Sequence, residues 1–161
     1  MKKGYTLIEL IIVLSIMLLL SNLALLGYRS YKNSAEKIKL ESTALEVRDL
    51  LSFSKAYCRK NEIIGNISVE LDKKSIYFTV DDKKAQIKKI IKLEDGIEIG
   101  SNFKGNNTVN EEGFITKAGT INIRSSYLNK FLELKISVGN DIIRVSDKNE
   151  GDIIDWKKVI L

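Results

Sequence analysis

The spacing of the hydrophobic positions changes twice along this chain and separates three segments. Residues 5–26 are almost continuously apolar, and Glu9 is their only charged residue. Between about residues 28 and 60, apolar residues recur at spacings of three, four and seven, which predicts an amphipathic helix. After Gly65 apolar and polar residues alternate, which predicts strands. The pattern therefore predicts one long helix followed by a β domain.

The first segment is long enough to cross a membrane. As a helix, its 22 residues would measure about 33 Å, against a hydrocarbon core of about 30 Å. Lys2 and Lys3 precede it, so the positive-inside rule places the N-terminus in the cytoplasm and the rest of the chain outside.

Three simpler interpretations compete for this segment. A cleaved secretory signal normally has a shorter apolar region that ends in a small-x-small site, and no Ala-x-Ala follows here. A plain signal anchor fits the length but gives no reason for Glu9, because an acidic group within an apolar span is costly. The buried core helix of a soluble protein would carry a polar stripe, which this segment lacks.

Geometry suggests a role for Glu9. If the chain were cut between Gly4 and Tyr5, the new ammonium would lie four residues before Glu9, at the same end of the same helix. A carboxylate within a lipid-embedded bundle is tolerated when it is paired. An assembly that pairs Glu9 with the N-terminal amine of a neighbouring chain would cancel two charges and fix an axial stagger.

The N-terminal residues resemble a known leader. Lys2-Lys3-Gly4, followed by Tyr5-Thr6-Leu7-Ile8-Glu9-Leu10 and a long apolar helix, resembles the class III leader of type IV prepilins and type II secretion pseudopilins. The resemblance implies cleavage after Gly4 by a prepilin peptidase, N-methylation of Tyr5, and Glu9 as the assembly residue. It also implies an inner-membrane assembly platform and other pilins as partners, with membrane lipid around the helix before assembly. The subunit would begin in the cytoplasmic membrane with its head outside and end in a surface or periplasmic filament.

No residue forces the helix to stop at the membrane surface. The protein contains no proline, and Gly27 is the one glycine between Tyr5 and Ile64. We therefore predict a helix over about residues 5–60 whose second half packs on the protein's own sheet. The apolar stripe predicted for that packing comprises Tyr31, Ala35, Ile38, Leu45, Leu51 and Cys58, widened by Val47 and Leu50.

Alternation predicts the strands of the head. They are centred on Ile67–Leu71, Ile76–Val80, Ile121–Ile123, Leu132–Val138 and Ile143–Val145, with hairpin turns at Asp72–Lys74, Asp81–Lys83 and Gly139-Asn140. Residues Gly100 to Gly113 have no period and are predicted to form a loop. The expected fold class is α+β, with a long N-terminal helix packed on an antiparallel sheet. The expected organisation is a leader over 1–4, a transmembrane and assembly helix over 5–27, and a pilin-like head over 28–161.

The head carries a second resemblance. Ser54-Lys55-Ala56-Tyr57-Cys58-Arg59-Lys60-Asn61 at the helix end, with the later Gly113-Phe114-Ile115-Thr116-Lys117-Ala118-Gly119-Thr120-Ile121, is similar to the H-type minor pseudopilins and their FimT-like branch. In that branch a glycine-containing turn precedes a Thr-Ile strand.

Composition excludes most familiar enzyme chemistry. The chain has no histidine and a single cysteine, so a histidine-based triad, a His/Cys zinc site and an intramolecular disulfide all lack their residues. No cofactor site and no enzymatic activity are expected. The net charge of +5 comes mainly from scattered lysines, which is a weak signal for nucleic acid.

The remaining candidates have structural interpretations. Cys58 is expected to be a small buried hydrophobe, and the acidic pairs Asp81-Asp82 and Glu111-Glu112 are expected to be solvated turns. Trp156 is expected to close the C-terminal edge of the core. The densest basic stretch is expected to form a solvated strand edge, because no aromatic residue is interleaved with it; its members are Lys83, Lys84, Lys88, Lys89 and Lys92.

The sequence therefore predicts a minor pilin or pseudopilin, a structural subunit of a filament. The alternative is a tip subunit of a type IV pilus whose head binds a ligand, a surface or DNA. Exposed aromatic residues clustered with lysines would favour that alternative.

Overall fold

The computed structural model describes residues 6–70, 74–80, 86–102, 106–128, 130–138 and 143–149. The chain separates into two compact units, Met1–Ala35 and Glu36–Leu161. The first unit is helical where it is described, and the second contains the end of the same helix and the eight strands that the structure describes.

Helix α1 spans Leu7–Asn61, which confirms one continuous helix with an end close to residue 60. Basic residues occupy its last turn, where they interact favourably with the helix dipole. The amide of Ile63 donates to the carbonyl of Cys58, and Glu62 adopts a left-handed φ of 52°. This backbone reversal at Glu62 ends the helix and directs the chain into the first strand.

The head contains two antiparallel sheets. The strands are β1 (Gly65–Glu70), β2 (Ser75–Val80), β3 (Gln86–Lys92), β4 (Ile97–Ser101), β5 (Asn107–Val109), β6 (Gly119–Ser125), β7 (Lys130–Ile136) and β8 (Ile143–Asn149). The first sheet has the order β3-β2-β1-β5, and the second has the order β4-β6-β7-β8. The α+β class is confirmed, and the five alternating segments of the sequence correspond to β1, β2, β6, β7 and β8. The strands on either side of each predicted hairpin pair as expected, although Asp72, Lys73, Asp81–Lys83, Gly139 and Asn140 lie outside the described residues.

One hydrophobic core joins the second half of α1 to both sheets. Its helical members are Leu40, Ala44, Val47, Leu50, Leu51 and Cys58, and its strand members include Ile67, Ile76, Phe78, Ile97, Ile121, Ile123 and Leu134. The amphipathic part of the helix therefore packs on the protein's own sheets, as predicted.

The predicted stripe was partly wrong about which residues face that core. Leu51, Cys58, Val47 and Leu50 are buried, but Tyr31, Ala35, Ile38 and Leu45 are exposed. Adjacent helix positions differ by about 100° in direction, so Leu45 points well away from the buried Ala44. Spacings of three, four and seven fit either set of residues, and packing against the sheets selects the stripe that begins at Leu40.

The loop predicted between Gly100 and Gly113 was also wrong. It contains the end of β4 and all of β5, which pairs with β1. Side-chain amides replace the missing apolar period: buried Asn107 donates to the carbonyl of Lys117 at 2.8 Å and accepts from its amide at 3.1 Å. Asn102 and Asn110 accept backbone amides in the same way, at 2.7 Å each. Asparagine hydrogen bonds therefore fix this segment where the sequence shows no hydrophobic pattern.

Candidate functional site

The first turn of α1 is organised around Thr6 and Glu9. The backbone amide and the hydroxyl of Thr6 donate to Oε2 of Glu9 at 2.8 Å and 3.0 Å, and the amide of Glu9 donates to the Thr6 hydroxyl at 3.4 Å. This reciprocal arrangement is a capping box, in which the N-cap threonine and the glutamate three residues later satisfy each other's free amides. The Thr-x-x-Glu spacing of a capping box is visible in the sequence at Thr6 and Glu9.

The capping box determines which part of Glu9 is available to a partner. Both hydrogen bonds to the carboxylate end on Oε2, and within the described residues Oε1 accepts none. A negative charge at a helix N-terminus is favoured by the helix dipole. Glu9 is thus held at the start of the helix through Oε2, and no described residue binds its Oε1. Gly4 and Tyr5 lie outside the described residues.

The apolar segment after Glu9 is exposed along its length. Every large hydrophobic side chain from Leu7 to Leu26 that the structure describes is exposed, so the interpretation as a buried core helix is wrong. By length and composition this part of α1 is able to cross a membrane. The polar side chains of Ser15, Ser21 and Asn22 donate to carbonyls one turn earlier, at 2.8–3.0 Å. These bonds satisfy polar groups inside the helix, as an apolar environment requires.

Cys58 lies in the core of the head as a free thiol. Its environment is apolar, and burial raises the pKa of the thiol to about 11. A thiol held in its neutral form is a poor nucleophile, and the expectation of a small buried hydrophobe is confirmed.

The acidic pair that the structure describes, Glu111-Glu112, is exposed at a turn. Within the described ranges there is no group of three or more Cys, Asp or Glu side chains arranged to hold a metal ion. Asp81, Asp82 and Trp156 lie outside those ranges.

The basic stretch lies on an edge strand, as expected, but the aromatic residues missing from its sequence are supplied by α1. Strand β3 ends the first sheet, and it carries Lys88, Lys89 and Lys92, whereas Lys83 and Lys84 are outside the described residues. The ammonium of Lys88 lies 5.8 Å from the ring centroid of Tyr57, and that of Lys89 lies 5.4 Å from the ring centroid of Phe53. No local sequence signal reveals this cluster, because Lys88 lies 31 positions after Tyr57 and Lys89 lies 36 positions after Phe53.

The two segments that carry the second resemblance lie together in the head. The Nε of Arg59 donates to the carbonyl of Glu112 at 2.9 Å, and its guanidinium lies 5.9 Å from the ring centroid of Phe114. Gly113 sits against the carbonyl of Lys55. The end of α1 and the glycine turn therefore form one structural unit.

Comparison with known proteins identifies the N-terminal motif. Residues 1–21 match the prokaryotic N-terminal methylation motif. The search of curated proteins found no match to the chain.

Comparison with solved structures identifies the fold. Two structures of the minor pseudopilin EpsH from the type 2 secretion system of Vibrio cholerae are similar to this chain. The first has a TM-score of 0.56 at 11% identity and covers 70% of this chain and 98% of EpsH. The second has a TM-score of 0.57 at 12% identity and covers 68% of this chain and 97% of EpsH. The type IV minor pilin FimU of Pseudomonas aeruginosa is similar with a TM-score of 0.56 at 16% identity, over 72% of this chain and 92% of that chain. At these identities the likeness is one of fold. The N-terminal motif and the fold together support the type IV pilin and pseudopilin superfamily.

Proposed function

We propose that this chain is a minor pilin or pseudopilin, a structural subunit that prepilin peptidase processes and that joins or initiates a type IV pilus-like filament. The observation that carries the proposal is the methylation motif over residues 1–21, which includes most of the exposed apolar segment of α1, in one chain with a head that has the fold of a minor pseudopilin and a minor pilin. A structural role, rather than an enzymatic one, fits these relatives.

The capped glutamate supports a mechanism for assembly. Thr6 fixes Glu9 through Oε2, and within the described part of the chain Oε1 has no partner that would compete with a cation from a neighbouring chain. Cleavage after Gly4 would create such a cation on Tyr5, one residue before the cap. Pairing that ammonium with Oε1 of a neighbour's Glu9 would remove both charges from contact with lipid, where unpaired charges are costly.

The proposal defines the arrangement of the chain in the cell. Residues 1–4 are the leader, residues 5–27 are the membrane and assembly helix, and residues 28–161 form the head. Before assembly the subunit crosses the cytoplasmic membrane with its head outside, and afterwards it belongs to a surface or periplasmic filament. Its partners are prepilin peptidase, the inner-membrane assembly platform and other pilins.

We assign the head to the H-type, FimT-like branch. The contacts of Arg59 with Glu112 and Phe114 support this assignment, because they join the two segments that carry the resemblance. The system served by the filament is protein secretion, competence or a type IV pilus.

Mass spectrometry of the membrane-extracted protein tests the proposal. In cells with active prepilin peptidase, the mature chain should begin at N-methylated Tyr5, and its side-chain charge should fall from +5 to +3 because Lys2 and Lys3 are lost. A Gly4→Ala variant should keep the leader. An uncut Met1 terminus in the wild-type protein, in the same cells, would contradict the proposal.

A further inference from the structure

Two lysines on the edge of the first sheet are held on the same side by a β-bulge. Phe78 of β2 pairs with Lys89, and Thr79 pairs with Ile87, so Lys88 is the extra residue between two paired positions. Adjacent side chains on a regular strand point to opposite faces, and a bulge relaxes this alternation. Both ammonium groups consequently reach the aromatic rings of α1, Lys88 over Tyr57 and Lys89 over Phe53.

The charges of this basic pair are not neutralised within the described part of the chain. Lys88 donates to the uncharged Oε1 of Gln86 at 2.8 Å, and neither lysine forms an ion pair with a described carboxylate. The ring contacts orient the two ammonium groups on the surface of the head. Two adjacent cations oriented in this way favour a partner with two adjacent negative charges.

The same rings make nucleic acid a poorer fit. Recognition of single strands requires bases to stack on accessible ring faces. Here each ring lies beneath an ammonium, Tyr57 packs at 74° against Phe78, and Phe53 packs at 85° against the same ring. Carboxylates are able to approach the ammonium groups without displacing them from the rings.

An acidic pair lies at the opposite edge of the same sheet. Strand β5 is the edge strand farthest from β3, and the turn that follows it presents Glu111 and Glu112 to solvent. This turn contacts α1 through Lys55 and Arg59. These two residues each come two positions after Phe53 or Tyr57, which places them on the other side of the helix. The basic and acidic pairs therefore face in different directions, and they cannot pair with each other within one head.

We propose that Lys88 and Lys89 of one copy contact Glu111 and Glu112 of a second copy, and that this contact joins neighbouring heads side by side. The inference rests on the proposed function, because individual exposed ion pairs are weak and screened by salt. Where a filament places two copies of this chain next to each other, the two charge pairs act together. The contact is heterologous, with a different surface on each partner, and it is therefore repeatable along an assembly.

Zero-length carbodiimide crosslinking of the full-length chain tests the inference, because this reagent joins a lysine directly to a carboxylate that it touches. Two differently tagged copies are expressed together in cells with the assembly machinery, and crosslinked dimers are analysed by mass spectrometry of their peptides. The wild-type protein should give a dimer joined between Lys88 or Lys89 and Glu111 or Glu112. The dimer should be lost in K88E/K89E and in E111K/E112K, and it should return in the quadruple variant, which restores opposite charges at the contact.

The control is E46K/E62K, which makes the same change in net charge as E111K/E112K at two other exposed glutamates and should leave the dimer intact. Circular dichroism of each purified variant verifies its fold, and recovery in the quadruple variant excludes misfolding as the cause of loss. Dimer formation by both double variants, or failure of a folded quadruple variant to recover it, would overturn the inference.

Two further outcomes separate this inference from the proposed function. A chain that begins at Tyr5 and is present in sheared filaments, but forms no dimer with itself, contradicts the contact and leaves the function intact. A chain that keeps its leader contradicts the function. Binding of a fluorescent single-stranded oligonucleotide that is lost in K88E/K89E would instead assign the basic pair to nucleic acid and overturn the inference.

Discussion

Gly113 packs directly against the backbone of Lys55. A Cβ atom at Gly113 would lie 2.6 Å from the Lys55 carbonyl oxygen, and Gly113 has a φ of 79°. Glycine is therefore required at this position for two reasons: the backbone is left-handed, and the Lys55 carbonyl leaves no space for a Cβ atom. This contact fixes the turn that carries Glu111 and Glu112 against the end of α1.

Replacing Gly113 by alanine should strongly destabilise the head. The left-handed conformation costs a non-glycine residue about 1–2 kcal/mol, and displacing the turn from the Lys55 carbonyl adds to this cost. The unfolding midpoint in urea measures the loss. Gly96→Ala is the matched control, because Gly96 has a similar φ of 85° and a Cβ atom at this position would make an ordinary 3.5 Å contact with Ser126. Equal losses in the two variants would show that the contact with Lys55 contributes nothing.

Substitutions at Glu9 should separate its capping role from its charge. Glutamine at this position preserves a capping box but removes the charge. We expect both Glu9→Gln and Glu9→Val to be cleaved, because Gly4 and Tyr5 are unchanged, and to accumulate as processed subunits that are absent from sheared filaments. Breaking one side of a buried ion pair costs about 3–5 kcal/mol.

Thr6→Val is the complementary variant, since it removes the capping hydroxyl and keeps the carboxylate. It should assemble better than Glu9→Gln if charge pairing drives assembly. Assembly of Glu9→Gln at the wild-type level would show that Glu9 acts mainly as a helix cap. Because a subunit at a filament tip has no subunit above it, crosslinks to the subunit below should be measured as well.

A fragment of residues 28–161 should fold without the membrane segment. It retains the compact unit Glu36–Leu161, including the buried stripe of α1 and both sheets. Its circular dichroism spectrum should show both helix and strand, and it should unfold cooperatively. An unfolded or wholly aggregated fragment would contradict the packing of α1 on the sheets.

Cys58 should resist thiol reagents while the head is folded. Burial raises the pKa of its thiol from about 9 to about 11, so the thiolate is favoured in the unfolded chain as the pH rises between these values. The contribution of Cys58 to stability is therefore fully present below pH 9 and is lost as the pH rises towards 11. Labelling with a thiol reagent at about pH 8, below the ordinary thiol pKa, with and without denaturant, checks its accessibility. Rapid labelling of the folded protein would contradict its burial.

The pH-dependent loss should disappear in Cys58→Ala. This variant should start from a lower stability, because it loses the packing of the sulfur atom in the core, but its urea midpoint should decrease less between pH 9 and pH 11 than that of the wild-type protein. The same decrease in both proteins would assign the pH effect to other groups.

The sequence alone determined the N-terminal half of the molecule, because its signals are local. Consecutive apolar residues predicted an exposed helix able to cross a membrane, and the absence of proline predicted its continuation to about residue 60. The Thr6–Glu9 cap was readable in the same way, since both partners lie within one helical turn. Alternation predicted five strands, and four of them, β1, β2, β6 and β7, contribute side chains to the core.

The features that arise from contacts between residues distant in the chain were decided only by the tertiary structure. Apolar periodicity did not distinguish Ala44 from Leu45, and only packing against two sheets determined that Ala44 is buried. Strand β5 has no apolar period, because Asn107 binds the backbone of Lys117 instead of supplying a hydrophobic face. The basic pair required a bulge in β3 and two rings from α1, and the Gly113 turn required the Lys55 carbonyl. These contacts are invisible to local patterns, because their partners become neighbours only when the helix and the strands share one core.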